Sequence, residues 1–426
     1  MTASIALGSV LLLGLLIGIP IAIAIGIAVT VALIISDIPA LFLTQSAFTA
    51  LDSFPLMAIP FFILAGSLME TGGLSNRLIT FANSFMKPFT GGFALVTMVA
   101  CFFFAALSGS SPATVAAIGT IMFPAMVKKG YDPGFSAAVS ASGGGLGILI
   151  PPSIPLIMYG ILASVSISDM FLAGFGPGSV AALLLMLTVL VISKRKGYKG
   201  SGKKIDTKEV LGALWGAKWA LFTPIIILGG IYGGIFTPTE SAVVAVIYAL
   251  IIGLFVHKEL TFKRIKQSLI SSSLMTGAIL IILSTAAAFS KLISIYQIPN
   301  MLGQHILGIS NNPLVILFLI SVLVLIVGTF METISILIIL TPLFLPIVTQ
   351  LGIDPIHFGI ILVLGAEIGL LTPPVGLNLF VASGISNLSI ERISLAVVPF
   401  ILAMLVALIL VVLIPQISTF LPALLK

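Results

Sequence analysis

The sequence predicts an all-α polytopic membrane protein that forms a single integral membrane domain over residues 1–426. The chain is 59% hydrophobic and only 8% charged, whereas soluble domains carry roughly a quarter charged residues. None of its apolar runs alternates polar and apolar residues as the strands of a membrane barrel do. The runs recur along the whole length, at 10–35, 180–192, 223–235, 314–327 and 400–414. Since a helical span needs about 20 apolar residues, we expect roughly ten or more spans.

The first element, the apolar stretch from Ile5 to Ile35, predicts a first span that is retained. This stretch is too long for the apolar region of a secretory signal, and no Lys or Arg precedes Arg77. Cys101 is the only cysteine, which excludes disulfides within the chain and cysteine-based metal sites.

Basic residues are concentrated beside the apolar runs. Eight of the 19 Lys and Arg residues lie between Lys194 and Lys218, and four more lie between Lys258 and Lys266. Such clustering marks cytoplasmic loops, so both segments are predicted to be cytoplasmic, the first as a basic linker over about 193–218. The net charge of +6 therefore indicates orientation in a lipid bilayer and gives no support for a nucleic-acid partner.

The chain contains an internal repeat with a constant offset. FPAMVKKGYDP at 123–133 resembles LPIVTQLGIDP at 345–355, a separation of 222 positions. With the same offset, the proline pair at 373–374 aligns with the pair at 151–152. Transporters are often built from two such halves.

We place the two repeats at about 54–192 and 270–415. Lys128-Lys129 in the first copy corresponds to Gln350-Leu351 in the second, so one corner is basic and its counterpart is neutral. If basic corners lie inside, the two copies are inverted across the membrane.

Each repeat contains a predicted re-entrant hairpin. The apolar sequence from Phe93 to Val127 is interrupted at Ser108–Pro112, which leaves arms of about 15 residues that are too short to span. The second hairpin covers about 314–348, with its tip near 328–333.

Each repeat also contains a predicted discontinuous helix, at GGGLGILIPPSIP (143–155) and at LGAEIGLLTPPVGLN (364–378). Irregular backbone survives in hydrocarbon only where it is buried in protein or lines a cavity. Interrupted helices offer carbonyls to a cation and amino ends to an anion. Hydroxyl oxygens lie beside both, from Ser108, Ser110, Ser111, Thr329, Thr333 and Thr372. The alternative is that Gly and Pro merely kink packed helices, but a matched pair favours a binding site.

Two other function classes compete with a transporter. An ion channel also uses backbone carbonyls at membrane depth, without stoichiometric coupling. A membrane protease would use Ser110 as nucleophile and His305 as base. This hypothesis accounts for one serine-rich tip but not for the internal repeat. The three histidines, 257, 305 and 357, show no metal-ligand spacing. We therefore expect no enzyme activity.

The motifs ALSGSSPATVAAIGTIMFPAM, GGGLGILIPPSIPLIMYG, METISILIILTPLFLP and GLLTPPVGLNLF resemble the large membrane (M) subunit of tripartite ATP-independent periplasmic (TRAP) transporters. The similarity runs over essentially the whole chain. It implies an inverted-repeat, elevator-type fold like that of the ion transporter superfamily, in a multi-pass subunit of the bacterial inner membrane. The implied function is sodium-coupled import of a small organic anion, of the sialic acid or C4-dicarboxylate class. The implied partners are a small four-helix membrane subunit, expected as a separate chain, and a periplasmic substrate-binding protein.

The resemblance also implies site residues. One sodium ion would be held by the first tip and first interruption, at Ser108, Ser110, Ser111, Gly145, Gly147 and Pro151. Another would be held by the second tip and second interruption, at Gly328, Thr329, Glu332, Gly369 and Thr372. Substrate would lie between the tips, near Ser110, Thr114, Ser153, Thr329 and Asn378.

Several polar residues keep more than one interpretation. Glu332 and Glu367 could take part in cation binding or proton coupling, or make a structural hydrogen bond. Lys291 could snorkel or pair with an acid, and Glu240 is predicted to mark a span boundary. The segments 74–89 and 262–274 are predicted to be helices that lie in the membrane interface.

Overall fold

The computed structural model describes residues 2–202 and 205–425, and every regular element within them is a helix. The prediction of an all-α protein is therefore confirmed. The first ten α-helices are α1 Thr2–Leu16, α2 Ile21–Ile35, α3 Leu41–Leu51, α4 Ala58–Thr71, α5 Leu74–Met86, α6 Gly92–Ser108, α7 Ser111–Lys128, α8 Pro133–Gly144, α9 Ile154–Leu162 and α10 Ile167–Lys196. The next ten are α11 Thr207–Tyr232, α12 Pro238–Ile251, α13 Phe262–Ile295, α14 Ile298–Ile309, α15 Pro313–Gly328, α16 Thr333–Gln350, α17 Pro355–Leu370, α18 Leu377–Ser386, α19 Ile390–Leu413 and α20 Gln416–Leu424.

Among the described residues, seven helices are long and apolar enough to cross a membrane, and seven further apolar helices have 10–17 residues. The long helices are thus fewer than the ten or more spans we expected, because Gly and Pro divide several apolar runs into short helices. The seven long segments are Phe54–Thr71, Ile167–Lys196, Thr207–Tyr232, Pro238–Val256, Phe262–Ile295, Thr333–Gln350 and Ile390–Leu413.

The amino-terminal run is one such case, and our prediction of a single span from Ile5 to Ile35 is wrong. The structure has two helices of 15 residues there, α1 and α2. The chain turns between them at Gly18, whose φ of +79° favours glycine, and Pro20 has no N–H with which to continue a helix. A Cβ on Gly14 would lie 3.1 Å from Ala24 Cβ, so the two helices pack closely against each other.

The two segments predicted to lie in the interface differ in the structure. The first forms α5, which buries Leu74, Leu78 and Ala82 on one face, as an amphipathic helix does. The second, 262–274, is the beginning of the single 34-residue helix α13. A helix of that length extends for about 50 Å, well beyond a hydrocarbon core of about 30 Å. The prediction of a separate interfacial helix at 262–274 is therefore wrong.

The helix bounds follow the offset of 222 positions. Helix α7 runs over 111–128 and α16 over 333–350, so both their ends are separated by that offset. Helices α8 and α17 begin at Pro133 and Pro355, and the preceding aspartate caps each of them. Both proline pairs, 151–152 and 373–374, contain a cis peptide bond.

The two repeats interlock at the centre of the molecule. Helix α7 packs against α8 of its own repeat and against α18 of the other, and α16 likewise packs against α17 and α9. All fourteen residues of α17 from His357 to Leu370 are buried, as expected for a helix that is apolar on every side. Around this centre, α4 contacts α12 and α13, α5 contacts α11, and α2 and α3 contact α13.

Candidate functional site

The first tip lies directly on the first interruption. Helix α6 ends at Ser108, Gly109 adopts φ +59°, and α7 begins at Ser111 after the extended residue Ser110. The N–H of Ile154 donates to the carbonyl of Gly109 at 3.2 Å. A Cβ on Gly109 would lie 2.9 Å from the carbonyl oxygen of Pro152. Glycine is thus required at the tip by both its φ and its close neighbour.

Hydroxyl groups at the first tip use their protons locally and keep oxygen lone pairs. Thr114 Oγ1 donates to the carbonyl of Ser110 at 2.8 Å and lies 2.7 Å from Ser108 Oγ. Ser153 Oγ donates to the carbonyl of Ile148 at 2.6 Å. A Cβ on Gly147 would lie 2.5 Å from the carbonyl oxygen of Ser110, so this glycine allows the interruption to approach the tip. Oxygen atoms in this arrangement suit a hard cation.

The second tip has the same construction. Helix α15 ends at Gly328, and α16 begins at Thr333. The N–H of Gly376 donates to the carbonyl of Thr329 at 3.3 Å. A Cβ on Gly369 would lie 2.4 Å from Gly328 Cα, so the two backbones touch. The hydroxyls of Thr372 and Thr329 donate to carbonyls within their own turns, at 2.7 and 2.8 Å.

One hydrogen bond is common to both repeats. Its donors, the N–H groups of Ile154 and Gly376, are 222 positions apart, and each donates to a carbonyl of its own tip. Each interruption is therefore held against the neighbouring tip by a backbone contact. Glu332 Oε2 accepts from the N–H of Ile334 at 3.1 Å, so this carboxylate caps α16 at the second tip.

A buried polar cluster of Ser111, Glu367 and Asn378 joins the two repeats, and all three residues are fully buried. Ser111 Oγ donates to Glu367 Oε1 at 3.0 Å, and Asn378 Nδ2 lies 2.9 Å from the same oxygen and 2.7 Å from Ser111 Oγ. A Cβ on Gly145 would lie 2.4 Å from Oε1, so Gly145 makes room for the carboxylate. Since Gly145 and Glu367 are 222 positions apart, one repeat supplies a glutamate where the other supplies a glycine.

Some buried oxygens near the tips have no protein partner among the described residues. They are Glu367 Oε2, Asn378 Oδ1 and Thr333 Oγ1. Buried polar atoms without a partner are costly in a folded protein. These oxygens are available to a cation that binds near the tips.

Two cavities border the tips. A cavity of about 20 Å³ lies between them, lined by Gly109 to Pro112 of the first tip and Glu332 to Ile334 of the second. A second cavity, of about 190 Å³, lies between the first tip and α4 and α13, and it is lined in part by Ser108, Ser110, Ser67, Glu70, Ser271 and Ser272. Among the residues that the structure describes, no Lys or Arg lines either cavity.

Of the five residues predicted to contact substrate, only Ser110 lines these two cavities. Thr114, Ser153 and Thr329 line neither cavity, and their hydroxyls donate to nearby carbonyls. Asn378 lies in the buried cluster. Sequence reasoning missed Glu70 and the serines of α13, although the run of three serines at 271–273 in an apolar helix was a visible signal.

The remaining polar residues lie away from this site. His305 Nδ1 lies 2.7 Å from the carbonyl of Met301 in its own helix, and His357 Nδ1 lies 2.7 Å from Ser418 Oγ. Within residues 2–202 and 205–425, no group of three or more His, Cys, Asp or Glu residues could hold a metal ion. Lys291 is exposed and makes no ion pair with any of the residues that the structure describes. Glu240 lies in the first turn of α12, in a capping box with Thr237.

Comparisons with known proteins agree with this architecture. Residues 8–417 match the family model described as "Tripartite ATP-independent periplasmic transporter, DctM component". The chain is 41% identical over 375 residues to the C4-dicarboxylate TRAP transporter large permease protein DctM of Pseudomonas aeruginosa, covering 88% of each chain.

Two relatives are longer than this chain. The chain is 47% identical over 383 residues to the isethionate TRAP transporter permease protein DctMQ of Oleidesulfovibrio alaskensis, which spans 90% of this chain and 60% of that relative. It is 38% identical over 382 residues to the sialic acid TRAP transporter permease protein SiaT of Haemophilus influenzae, and this match covers 90% and 62% of the two chains.

A solved structure shares the fold. It is the YdaH transporter of Alcanivorax borkumensis, with a TM-score of 0.66 over 87% of this chain and 86% of that one, at 16% sequence identity.

Proposed function

The chain belongs to the DctM component family of tripartite ATP-independent periplasmic transporters, and we propose that it imports a small organic anion together with sodium ions. It is a permease subunit of a transporter and not an enzyme. The predicted multi-pass inner-membrane location agrees with this membership and with the apolar helices of the structure. The ion-channel alternative finds no support, because the named relatives are transporter permeases.

The observation that carries the proposal is the pair of tips, each held on its own helix interruption by a matched backbone hydrogen bond. The carbonyls and hydroxyl oxygens there fit a small hard cation. The first sodium ion is assigned to Ser108, Ser110, Ser111, Gly145, Gly147 and Pro151, and the second to Gly328, Thr329, Glu332, Gly369 and Thr372.

Electrostatics supports coupling between sodium and an anionic substrate. Because no Lys or Arg of the described part of the chain lines the two cavities, an anion bound there needs bound cations and helix amino ends to balance its charge. Sodium therefore binds first. Each net positive charge carried inward contributes about 2.3 kcal/mol per 100 mV of inside-negative potential.

Glu367 is proposed to supply negative charge to the first sodium ion. Its carboxylate contacts Ser111 and faces Gly145, both of which belong to that ion's assigned site. A buried carboxylate without a partner of opposite charge is strongly unfavourable. A cation at Ser111 balances that charge, so the empty site is less stable than the loaded one.

The proposed substrates are C4-dicarboxylates and sialic acid, and the isethionate relative adds a small organic sulfonate to this class. The proposed partners are a small four-helix membrane subunit and a periplasmic protein that delivers the substrate. In the proposed elevator mechanism, the interlocked centre of α6 to α10 and α15 to α19 moves against the helices around it, with α6–α7 and α15–α16 as re-entrant hairpins.

Reconstituted uptake tests this function. The chain is placed in proteoliposomes with its proposed small membrane subunit and binding protein, and labelled succinate, sialic acid and isethionate are offered separately. We expect uptake of one class that requires an inward sodium gradient and rises with an inside-negative potential. Uptake that is unchanged when potassium replaces sodium would overturn the proposal.

A further inference from the structure

A groove between α10 and α19 lies apart from the two tips. Its volume is about 400 Å³, and its lining includes Leu184, Leu187, Val191 and Arg195 of α10 and Leu402 and Val406 of α19. Leu187 and Leu402 are 55% and 57% exposed, so the apolar lining is open to the surroundings of the protein. The hydroxyl of Thr188 donates to the carbonyl of Leu184 at 2.9 Å and offers no donor to a ligand.

The groove is as long as one leaflet of a bilayer. Leu184 and Arg195, its two ends on α10, are separated by about 16 Å at a rise of 1.5 Å per residue. Half of a hydrocarbon core of about 30 Å is close to that length. A transmembrane helix would need a groove about twice as long.

The groove carries positive charge at one end only. Arg195 is the only charged side chain among its lining residues, and it makes no ion pair within the described parts of the chain. Lys194 and Lys196 flank Arg195 in the sequence, and Glu391 precedes Arg392 at the start of α19. Lys196 and Arg392 share Asp132 at 3.7 and 3.8 Å. Four cations against two acids leave this end positive.

We propose that the groove binds one anionic phospholipid from the leaflet on the basic side of the membrane. An acyl chain lies along Leu184 to Val191, and the phosphate contacts Arg195. A planar guanidinium binds phosphate oxygens through two parallel hydrogen bonds. A free phosphate or a soluble polyanion could contact Arg195 but would gain nothing from the apolar lining of the groove. The half-bilayer length favours a lipid over a helix of a partner subunit.

Native mass spectrometry of the full-length protein tests the site. The protein is released from detergent in an equal mixture of phosphatidylglycerol and phosphatidylcholine with identical acyl chains. We expect one retained phosphatidylglycerol in preference to phosphatidylcholine. Arg195→Gln should weaken this retention about five-fold, as expected for removing one basic contact to an anionic headgroup worth about 1 kcal/mol. Lys208→Gln, which removes an exposed lysine of α11 outside the groove, should leave it unchanged.

A second variant addresses the apolar part of the groove. Leu402→Trp should fill it and reduce retention of both lipids, with no loss of melting temperature because Leu402 is exposed. Equal retention of the two lipids, or equal retention by the Arg195 and Lys208 variants, would overturn the proposal. Maleimide labelling of Leu402→Cys gives a third measurement, because the native Cys101 is buried and should not react. The proposal would also be overturned if a copurifying subunit, and not lipid, protected Leu402→Cys from maleimide.

Discussion

Replacing Glu367 with glutamine removes a charge from the buried cluster of Ser111, Glu367 and Asn378 while keeping the size of the side chain. The hydrogen bonds of the cluster can persist, because the glutamine carbonyl can still accept from Ser111 Oγ and Asn378 Nδ2. Only the charge that we assign to the first sodium ion is lost. We therefore expect weaker sodium binding in a protein that still folds.

The size of the effect follows from the geometry. Ser111 Oγ and Glu367 Oε1 are 3.0 Å apart, so an ion held at about 2.4 Å from Oγ lies at most about 5.4 Å from Oε1. At that distance and an effective dielectric constant of about 20, two unit charges attract by about 3 kcal/mol. An interaction of this size corresponds to a loss of about 100-fold in sodium affinity.

The assay is the sodium concentration that gives half-maximal uptake in proteoliposomes, together with the melting temperature measured with and without sodium. The variant should need about 100-fold more sodium, and sodium should no longer raise its melting temperature at concentrations that stabilise the wild type. Glu240→Gln, at a helix start away from both tips, serves as the matched control. An unchanged sodium requirement in a transporting Glu367→Gln protein would refute our assignment of its charge.

Three further predictions concern single side chains. Thr372→Val should raise the half-saturating sodium concentration for uptake by about ten-fold, which corresponds to the loss of one hydroxyl ligand at ~1.4 kcal/mol. The control is Thr349→Val, which removes a similar hydroxyl-to-carbonyl bond at an exposed helix end and should leave this sodium concentration unchanged. Gly369→Ala should lower the melting temperature, since its Cβ would lie 2.4 Å from the backbone of the second tip and overpacking costs about 1 to 3 kcal/mol. Gly277→Ala should not lower the melting temperature, because a Cβ there would have nothing within 4 Å. Burial lowers the pKa of His257 from its ordinary value, so the unfolded chain binds the proton more readily and stability should fall as pH drops below about 6.5. His257→Gln should lose part of that pH dependence in melting curves, and an identical dependence in the variant would contradict the prediction.

The sequence was most informative where structure is set locally. The composition predicted a helical membrane protein, and the offset of 222 positions located both interruptions, since Gly and Pro end helices through their own backbone geometry. The same local reasoning was less successful for lengths. It joined α1 and α2 into one span, because apolar composition does not show where a continuous apolar run turns. It treated 262–274 as a separate helix, because an amphipathic pattern does not show that a helix continues into the apolar sequence after it.

The sequence by itself determined the class of protein, the two repeats and the positions of the tips, because each depends on composition or on spacing along the chain. Only the tertiary structure showed that Glu367 meets Ser111, which is 256 positions away, and that Glu70 faces the first tip across a cavity. The physical reason is that such contacts depend on how α4, α7 and α17 pack. Burial of a polar side chain in an apolar helix costs free energy wherever the residue lies. Which residue becomes its hydrogen-bond partner depends on the tertiary structure.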